Sequence, residues 1–355
     1  MLKNFDFSSN LIHWYEENKR DLPWRHTQNP YFILLSEIIL QQTRVQQGLP
    51  YYYKFIHNFP TIFDLAKAEE SEIYQLWQGL GYYSRAKNLH LCAKQLVSLY
   101  QGSFPENYND LIKLSGIGPY TASAILAFAF NKNVVLIDGN VYRFISRLWS
   151  INELINTSKS LRIFNELLLH YLPKNQSNIF NQAIMEYGAL ICTPKQMKCG
   201  ICVFQSQCIS FKNNEIDQFP VKKKNIIKKN RYFTYFVFIE NQQLIISKRV
   251  VKDIWQNLFE FPLSEEESLS DFEKSEFYRE NKLKYSKEPN FVITNKKHIL
   301  THQNIFSRFV IYDFIPKEFK NNQKFKQIFI NQIDDYPFPV MMNEIIQQIK
   351  IGLYL

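Results

Sequence analysis

The chain has 355 residues, of which 46% are hydrophobic and 21% charged, and its formal net charge is +9 at pH 7. This apolar content excludes a largely disordered protein, and the length suggests two or three domains that can each bury a core. The sequence has no apolar run of about 18 residues and no apolar N-terminal signal segment. It therefore predicts a protein without a transmembrane helix, located in the cytoplasm, where disulfides are rare.

The positive charge is concentrated in one short segment. Residues 1–220 contain 20 Lys and Arg against 17 Asp and Glu, a balance of +3. Residues 221–230 contain five Lys and no acidic residue, whereas residues 231–355 contain 17 basic and 16 acidic residues. Basic proteins often bind polyanions, but net charge alone is a weak indication. The segment 221–230 is interpreted equally well as a solvated linker or as a contact with phosphates.

Residues 1 to about 210 have the pattern of helices. Asn29 and Pro30 form a helix start, with Asn as the N-cap and Pro at the first position. The run 31–40 that follows is apolar nearly all round, which predicts a buried helix. Further helices are predicted at 61–78, 84–100, 119–130, 140–149, 159–171 and 178–191.

One acidic residue, Glu37, interrupts the apolar helix over 31–40. A carboxylate in such a place is costly unless it is protonated or hydrogen-bonded, and burial raises its pKa. A hydrogen-bonded core residue and a functional acid are both compatible with this position.

Residues 114–122 predict a glycine turn between two helices. One helix ends near Leu114, and Pro119 opens the next. Gly116 and Gly118 permit a tight turn whose backbone N–H groups face outward, which is typical of the helix-hairpin-helix phosphate contact. A plain connection between two helices is the simpler alternative.

A second acidic residue, Asp138, follows the apolar residues 134–137 and precedes Gly139 and Asn140. It lies where a helix begins, which favours the ionised carboxylate. Taken alone, Asp138 is also explained as an N-cap. Together with Glu37 it provides one proton-holding acid and one carboxylate, which cleavage through an oxocarbenium-like state requires.

Four of the five cysteines are clustered, at positions 192, 199, 202 and 208. Clustered thiols in an intracellular protein indicate a metal site, because thiolates bind soft cations. The spacing alone fits zinc or an iron–sulfur cluster. Cys92 lies in a predicted helix and is expected to be a small core residue.

Beyond the Lys-rich segment the pattern changes to strands. Residues 231–239 are β-branched and aromatic, residues 243–247 follow after a short polar turn, and 304–315 is another aromatic strand. Residues 340–350 predict a closing amphipathic helix. We therefore expect an all-α part, a basic linker and a smaller α+β part.

These features resemble the endonuclease III superfamily of DNA glycosylases, and more narrowly the adenine DNA glycosylases of the MutY type. The resemblance covers nearly the whole chain. It rests on the glycine hairpin, on Asp138 and its neighbours, on the cysteine spacing and on the segments 22–25, 36–43, 79–86 and 181–188. It implies an all-α helix-hairpin-helix glycosylase domain whose loop binds a [4Fe–4S] cluster through Cys192, Cys199, Cys202 and Cys208.

The resemblance also implies a substrate and residue roles. The substrate is adenine opposite 8-oxoguanine or guanine in duplex DNA, and the adenine must leave the base stack before cleavage. Glu37 is then the acid that protonates the purine, and Asp138 stabilises the positive sugar. Tyr120 and Asn140 support this site. The implied binding residues are Arg25 and Glu186 for the flipped adenine, Gln42 and Tyr82 as wedges, and Gly116 and Gly118 for phosphate.

The C-terminal part resembles the Nudix-like domain of the same family. Residues 255–262 carry this resemblance, and residues 298–302 align with a Phe-Ser-His loop that probes 8-oxoguanine. Leu300 replaces the Phe and Thr301 the Ser, so the resemblance implies that Thr301 and His302 contact the lesion. No glycine lies between 262 and 351, so the phosphohydrolase motif is missing and we expect binding without hydrolysis.

The predicted organisation is a glycosylase domain at 1–217, a basic linker at 218–230 and a Nudix-like α+β domain at 231–355. We expect a monomer that binds duplex DNA in the bacterial cytoplasm, associated with the nucleoid and not with a membrane. Two alternatives are a strand-cleaving relative and a DNA-binding protein without catalysis. The first requires a Schiff-base lysine where Tyr120 stands, and the second would lack one of the two acids.

Overall fold

The computed structural model describes residues 6–223, 228–269, 288–294, 297–300 and 302–353. The chain divides into two compact units. The first contains Met1–Ala68 and Asn88–Lys224, and the second contains Glu69–Lys87 and Asn225–Leu355. The second unit thus includes a segment from the N-terminal half of the chain. The predicted domains place this segment in the glycosylase domain at 1–217. The predicted domain boundaries remain a prediction.

The helices of the described residues follow in chain order. They are α1 (Phe7–Asn18), α2 (Pro30–Leu40), α3 (Val45–Asn58), α4 (Ile62–Lys67), α5 (Glu70–Trp77), α6 (Ser84–Tyr100), α7 (Tyr108–Leu111), α8 (Pro119–Phe128), α9 (Gly139–Trp149), α10 (Ser158–Tyr171), α11 (Ser177–Leu190), α12 (Ile209–Lys212), α13 (Lys317–Lys320) and α14 (Asn343–Lys350). Short 3₁₀ turns include Pro23–Arg25, Cys199–Ile201 and Gln205–Gln207.

The start of α2 is confirmed, because the Asn29 side chain accepts a hydrogen bond from the Tyr31 amide at 2.9 Å and Pro30 is the first residue. The single helix predicted over 61–78 is wrong. The structure has α4 and α5 there, separated by the extended backbone of Ala68 and Glu69. The Glu72 carboxylate accepts the Glu69 amide at 3.0 Å and so starts a new helix. The sequence analysis gave no helix at the positions of α1, α3, α7, α12 and α13.

The core of the first unit lies around α1, α9 and α11, which pack against one another. Large aromatic side chains fill it, including Phe7, Phe164, Phe180, Tyr187 and Phe204. At Gly188, α11 comes very close to the first turn of α9, since a Cβ atom there would lie 2.6 Å from the Asn140 carbonyl oxygen. This contact needs glycine, because only a residue without a side chain permits the backbone approach.

The second unit is built on a mixed sheet. Its strands are β1 (Lys229–Glu240), β2 (Gln243–Lys248), β3 (Phe259–Glu260), β4 (Leu263–Glu266), β5 (Phe291–Thr294), β6 (His298–Ile299), β7 (Gln303–Tyr312) and β8 (Phe325–Phe329). The strand order is β3-β2-β1-β7-β5, while β4 pairs with β1, β6 with β7 and β8 with β2. The long strands β1 and β7 run parallel, from Lys229 opposite Gln303 to Phe238 opposite Tyr312.

The strands predicted at 231–239, 243–247 and 304–315 are confirmed as β1, β2 and β7. The polar turn between β1 and β2 consists of Asn241 and Gln242, both with positive φ, which matches the twist of a tight hairpin. The shorter strands were not predicted, since two to five residues give too little alternation to be recognised. In α14, Ile345, Ile346 and Ile349 are buried in the core of this unit.

None of the helices in the described part of the chain has the length and apolarity needed to cross a membrane.

The close approach at Gly188 gives a first prediction. The Gly188→Ala variant forces α11 and α9 apart, because the new Cβ meets backbone and not a flexible side chain. We expect a loss of about 1–3 kcal/mol in the free energy of unfolding, measured by urea denaturation. Gly139→Ala is the matched control, since its Cβ meets no atom within 4 Å. Equal stabilities of the two variants would contradict this packing.

Candidate active site

A cavity of about 370 Å³ in the first unit brings together most of the predicted site residues. Its wall comes from α2, the start of α8, the start of α9, α11 and the Pro23–Arg25 turn. The predicted residues that line it are Arg25, Glu37, Tyr120, Asp138, Asn140 and Glu186. Gln42 is exposed, has a left-handed backbone with φ 56° and does not line the cavity.

Glu37 lies in the wall of this cavity and is the charged residue of the mainly apolar helix α2. Burial, and to a smaller extent repulsion from Asp138, raises the pKa of its carboxyl group to about 7, against a hydrogen bond from the Tyr120 hydroxyl that lowers it. A carboxyl group in this range holds a proton near neutral pH and can donate it. The predicted direction of the shift is therefore confirmed.

Asp138 is the N-cap of α9, as expected. Its carboxylate accepts the amides of Asn140 at 2.9 Å and Val141 at 2.8 Å, and the Asn140 side-chain amide at 2.8 Å. Burial nevertheless raises the pKa of Asp138, although these hydrogen bonds and Arg143 lower it. The net direction is opposite to the one expected from the helix start alone. Since Glu37 lacks such capping bonds, the proton is held more readily on Glu37 than on Asp138.

Tyr120 connects the glycine hairpin to the two acids. It is the second residue of α8, directly after Pro119 and the N-cap Gly118. Burial, and then the charges of Glu37 and Asp138, raises the pKa of its hydroxyl well above 10. The hydroxyl therefore stays protonated. It donates to the Met185 sulfur at 3.8 Å, and its interaction with Glu37 lowers the pKa of that carboxyl group.

Glu186 is almost completely buried and forms ion pairs with two arginines. Its oxygens accept three hydrogen bonds from Arg20, including one from the backbone amide, and two from Arg25, all between 2.6 and 3.0 Å. Burial alone would raise the pKa of Glu186, but the hydrogen bonds from Arg20 and Arg25 lower it to about 2. Five donors saturate a carboxylate. Glu186 therefore holds Arg25 at the cavity, and Arg20, which the sequence analysis missed, shares this role.

Two further arginines that the sequence analysis missed connect α9 to the cysteine loop. Arg143 donates to the Asn140 side chain at 2.9 Å and to the carbonyl of Cys192 at 2.7 Å. Arg147 donates to the Thr193 carbonyl at 2.8 Å. Both are buried, although arginines seldom are. Their spacing of four residues on one face of the helix after Asp138 is the signal that could have identified them.

The four clustered cysteines line one pocket beside α9 and α11. The Tyr187 hydroxyl donates to the Cys202 sulfur at 3.1 Å, and Arg147 lies 3.6 Å from the Cys192 sulfur. Within the described residues, no three His, Cys, Asp or Glu side chains gather closely enough to hold a single metal ion. Cys92 is buried away from this group, which confirms it as a core residue.

The glycine hairpin is a tight turn, as the sequence predicted. Gly116 has φ +77°, a left-handed value that favours glycine, and a Cβ there would lie 2.7 Å from the Cβ of Asn88. At Gly118 a Cβ would meet nothing within 4 Å. Gly116 is exposed, so the turn before α8 presents backbone to solvent.

The second unit contains the remaining predicted residues. Tyr82 is 46% exposed and has a left-handed backbone with φ 48°. It lines a cavity of about 510 Å³ together with Leu300 and His302. Thr301 lies outside the described residues.

Comparisons with known proteins agree with this architecture. The family model described as "HhH-GPD superfamily base excision DNA repair protein" matches residues 35–169, and the model for a NUDIX domain matches residues 234–348. A solved thermostable thymine-DNA glycosylase is 30% identical, with a TM-score of 0.55 over 58% of this chain and 95% of its own. An endonuclease III–DNA complex, 21% identical with a TM-score of 0.52 over 60% of this chain and 99% of its own, has the same fold. These matches define a base-excision-repair glycosylase fold followed by a Nudix-like domain.

Curated relatives show which kind of base-excision-repair glycosylase the chain is similar to. An adenine DNA glycosylase of Buchnera aphidicola subsp. Baizongia pistaciae is 37% identical over 97% of both chains. That of Buchnera aphidicola subsp. Schizaphis graminum is 36% identical over 90% of this chain and 91% of its own. The human adenine DNA glycosylase is 36% identical, over 60% of this chain and 40% of its own. The chain belongs to the adenine DNA glycosylase family.

The raised pKa of Glu37 predicts a pH-dependent stability. The folded protein keeps this proton up to about pH 7, whereas the ordinary pKa of a glutamate carboxyl group is 4.5. Its contribution to stability is complete below the unfolded pKa and is lost as the pH rises through 7. We expect the free energy of unfolding to fall by about 2–3 kcal/mol between about pH 5 and pH 8.5.

Urea denaturation at the two pH values measures this change. Glu37→Gln should remove most of it, whereas Glu106→Gln, which changes an exposed carboxylate paired with Lys132, should retain it. A wild-type stability that does not vary with pH would mean that the pKa of Glu37 is not raised in the folded protein.

Proposed function

We propose that this protein is a monofunctional base-excision-repair glycosylase that hydrolyses the N-glycosidic bond of adenine opposite 8-oxoguanine or guanine in duplex DNA. The observation that carries the proposal is the pair Glu37 and Asp138 in one cavity, with the pKa of Glu37 raised to about 7. Membership of the adenine DNA glycosylase family supports the choice of base.

The two acids divide the chemistry between them. A flipped adenine enters the cavity of about 370 Å³, away from its base stack. Glu37 donates a proton to the purine ring, which makes the base a better leaving group. The Asp138 carboxylate stabilises the positive sugar by electrostatics. Asn140 orients Asp138 through the hydrogen bond from its side-chain amide, and Tyr120 supports the site from the cavity wall beside Glu37.

We assign recognition of the adenine base to Arg25 in the cavity wall. Arg25 lines it and is held by Glu186, whose carboxylate is saturated by arginine donors. Arg25 therefore contacts the flipped adenine directly, while Glu186 fixes the position of Arg25. This refines the sequence-based role, in which both residues held the base.

Duplex DNA is the proposed partner of a monomeric protein acting at the bacterial nucleoid. Gly116 and Gly118 offer backbone amides to phosphate at the start of α8. Gln42 and Tyr82, both exposed with left-handed backbones, are the proposed wedges. Thr301 and His302 remain the proposed contacts with 8-oxoguanine.

The cavity favours hydrolysis without strand cleavage. Schiff-base chemistry needs an amine near the sugar. Tyr120 stands at the hairpin position, and no lysine lines the cavity in the part of the chain that the structure describes.

The cysteine pocket supplies the four thiols that a [4Fe–4S] cluster needs. A zinc site has four ligands around one ion. In a cluster each thiolate binds a different iron, so the sulfurs lie farther apart. The ligands would be Cys192, Cys199, Cys202 and Cys208, and the cluster would hold together the loop that Arg143 and Arg147 attach to α9.

Glu37→Gln tests the proton donor. The variant keeps the size of the side chain but cannot donate the proton, so adenine release should fall by roughly 10²–10⁴-fold while duplex binding persists. The wild-type rate should also fall as the pH rises above about 7. Single-turnover excision from an adenine–8-oxoguanine duplex measures both effects.

Glu106→Gln is again the control, since it changes an exposed carboxylate outside the cavity. Excision by Glu37→Gln within tenfold of the wild type would overturn the role of Glu37.

Cys199→Ser tests the cluster. Loss of one thiolate should remove iron, visible colour and much of the DNA affinity, because the ligands are part of the folded loop. Iron analysis and absorption spectroscopy of anaerobically purified protein measure this. Cys92→Ala, which removes the buried thiol outside the pocket, should keep both iron and colour. Stoichiometric zinc in the wild-type protein would contradict the assignment.

A further inference from the structure

A cavity of about 510 Å³ in the second unit contains an aromatic residue to which no role has been assigned. Its walls are residues 79–84, the loop 253–257 and residues 298–303 as far as they are described. Tyr82, the proposed wedge, and His302, a proposed contact with 8-oxoguanine, both line it, as does Leu300. Trp255 projects from the loop 253–257 into the same lining.

The loop 253–257 is held firmly from behind. Asp253 accepts from Arg231 at 2.8 Å and from Arg249 at 2.6 Å. Arg249 also donates to the Ile254 carbonyl at 2.8 Å. Both arginine side chains are about nine-tenths buried. At the end of the loop, the Asn257 side chain donates to the Tyr74 hydroxyl at 3.3 Å.

This anchoring imposes an unfavourable backbone on a bulky residue. Trp255 has φ 59° and Asn257 has φ 71°, both in the left-handed region. Asparagine adopts this region readily, but tryptophan does so rarely. Such conformations persist only where the surroundings enforce them, and they cluster at binding sites. The network of Arg231, Arg249 and Asp253 is the enforcing structure here.

Trp255 also supplies an aromatic ring, which Leu300 in the lining of the same cavity lacks. Leu300, at the lesion-probing position, is aliphatic. The Trp255 ring lies 5.9 Å from His298 at 55° and 6.2 Å from Phe233 at 72°. Neither ring lies flat on the indole. A nucleobase that enters the cavity can therefore stack where an imidazole or phenyl ring does not.

We infer that Trp255 is a specificity-determining residue, whose indole stacks on the 8-oxopurine base opposite the excised adenine. The inference rests on the proposed function. Stacking fixes the plane of the base and turns its edge toward His298 and His302. An 8-oxopurine presents an N7–H donor and an O8 acceptor on that edge, which guanine lacks, so a fixed base plane favours the lesion over guanine.

The test compares Trp255→Leu and Trp255→Phe with wild-type protein. Single-turnover excision is measured for adenine opposite 8-oxoguanine and opposite guanine. Binding is measured separately, on duplexes with a 2′-fluoro adenosine that resists excision. Phe259→Leu is the matched control, because it removes a ring that packs on Tyr336 in the same unit and does not line the cavity.

We expect Trp255→Leu to reduce the preference for the 8-oxoguanine duplex at least tenfold, in rate and affinity, with little change for the guanine duplex. Trp255→Phe and Phe259→Leu should keep most of the preference. Adding Leu300→Phe to Trp255→Leu should restore part of it by supplying a new ring. A folded Trp255→Leu variant with the wild-type preference, or a Trp255→Phe variant as impaired as Trp255→Leu, would overturn the inference.

The binding measurement separates this inference from the proposed function. If wild-type protein releases no adenine from either duplex, the proposed function fails. The contribution of Trp255 is then decided by binding to the 8-oxoguanine duplex, which requires no excision.

Discussion

The hydrogen bonds between the Asp138 carboxylate and the first turn of α9 connect the candidate catalytic centre to the whole first unit. They fix the carboxylate through two backbone amides and the Asn140 side chain. The same helix holds the cysteine loop through Arg143 and Arg147, and its first turn lies against Gly188 of α11. A displacement of α9 would therefore move the carboxylate, the cysteine loop and the helix that carries Glu186 together.

The electrostatics of the cavity depend on how each acid is surrounded. Glu37 and Glu186 are the same residue type on the wall of one cavity, yet the pKa of Glu37 is raised to about 7 and that of Glu186 is lowered to about 2. Glu37 faces another acid and receives a hydrogen bond from Tyr120. Glu186 instead receives five hydrogen bonds from arginines. One cavity thus contains a carboxyl group that holds its proton near neutral pH and a carboxylate that stays ionised.

In the second unit, buried charged side chains hold two aromatic residues of the cavity wall in an unfavourable backbone conformation. Tyr82 and Trp255, both large aromatic residues, have positive φ at the wall of one cavity. The turn before Tyr82 is fixed because Trp77 and Arg85 donate to the Gly81 carbonyl at 3.0 and 3.1 Å. Arg231 and Arg249 fix the loop of Trp255 in a similar way. The cavity is therefore formed in advance and need not be ordered when a ligand binds.

The sequence by itself determined the class of this protein and indicated its candidate catalytic residues. Glu37 and Asp138 were recognisable because each is a carboxylate in an apolar setting, and Gly116 because a tight turn before Pro119 needs a positive φ. Long strands such as β1 gave a clear alternating or aromatic pattern. These signals are local, so they can be read from neighbouring residues alone.

Only the tertiary structure decided the features that depend on contacts between distant segments. Arg20 and Glu186 are 166 positions apart, so their pairing has no local signal. The raised pKa of Asp138 reflects burial, which outweighs the helix start that the sequence displays. The membership of Glu69–Lys87 in the second unit likewise follows from contacts with distant parts of the chain. Local patterns specify which side chains are available, but burial and long-range pairing decide their charge and their partners.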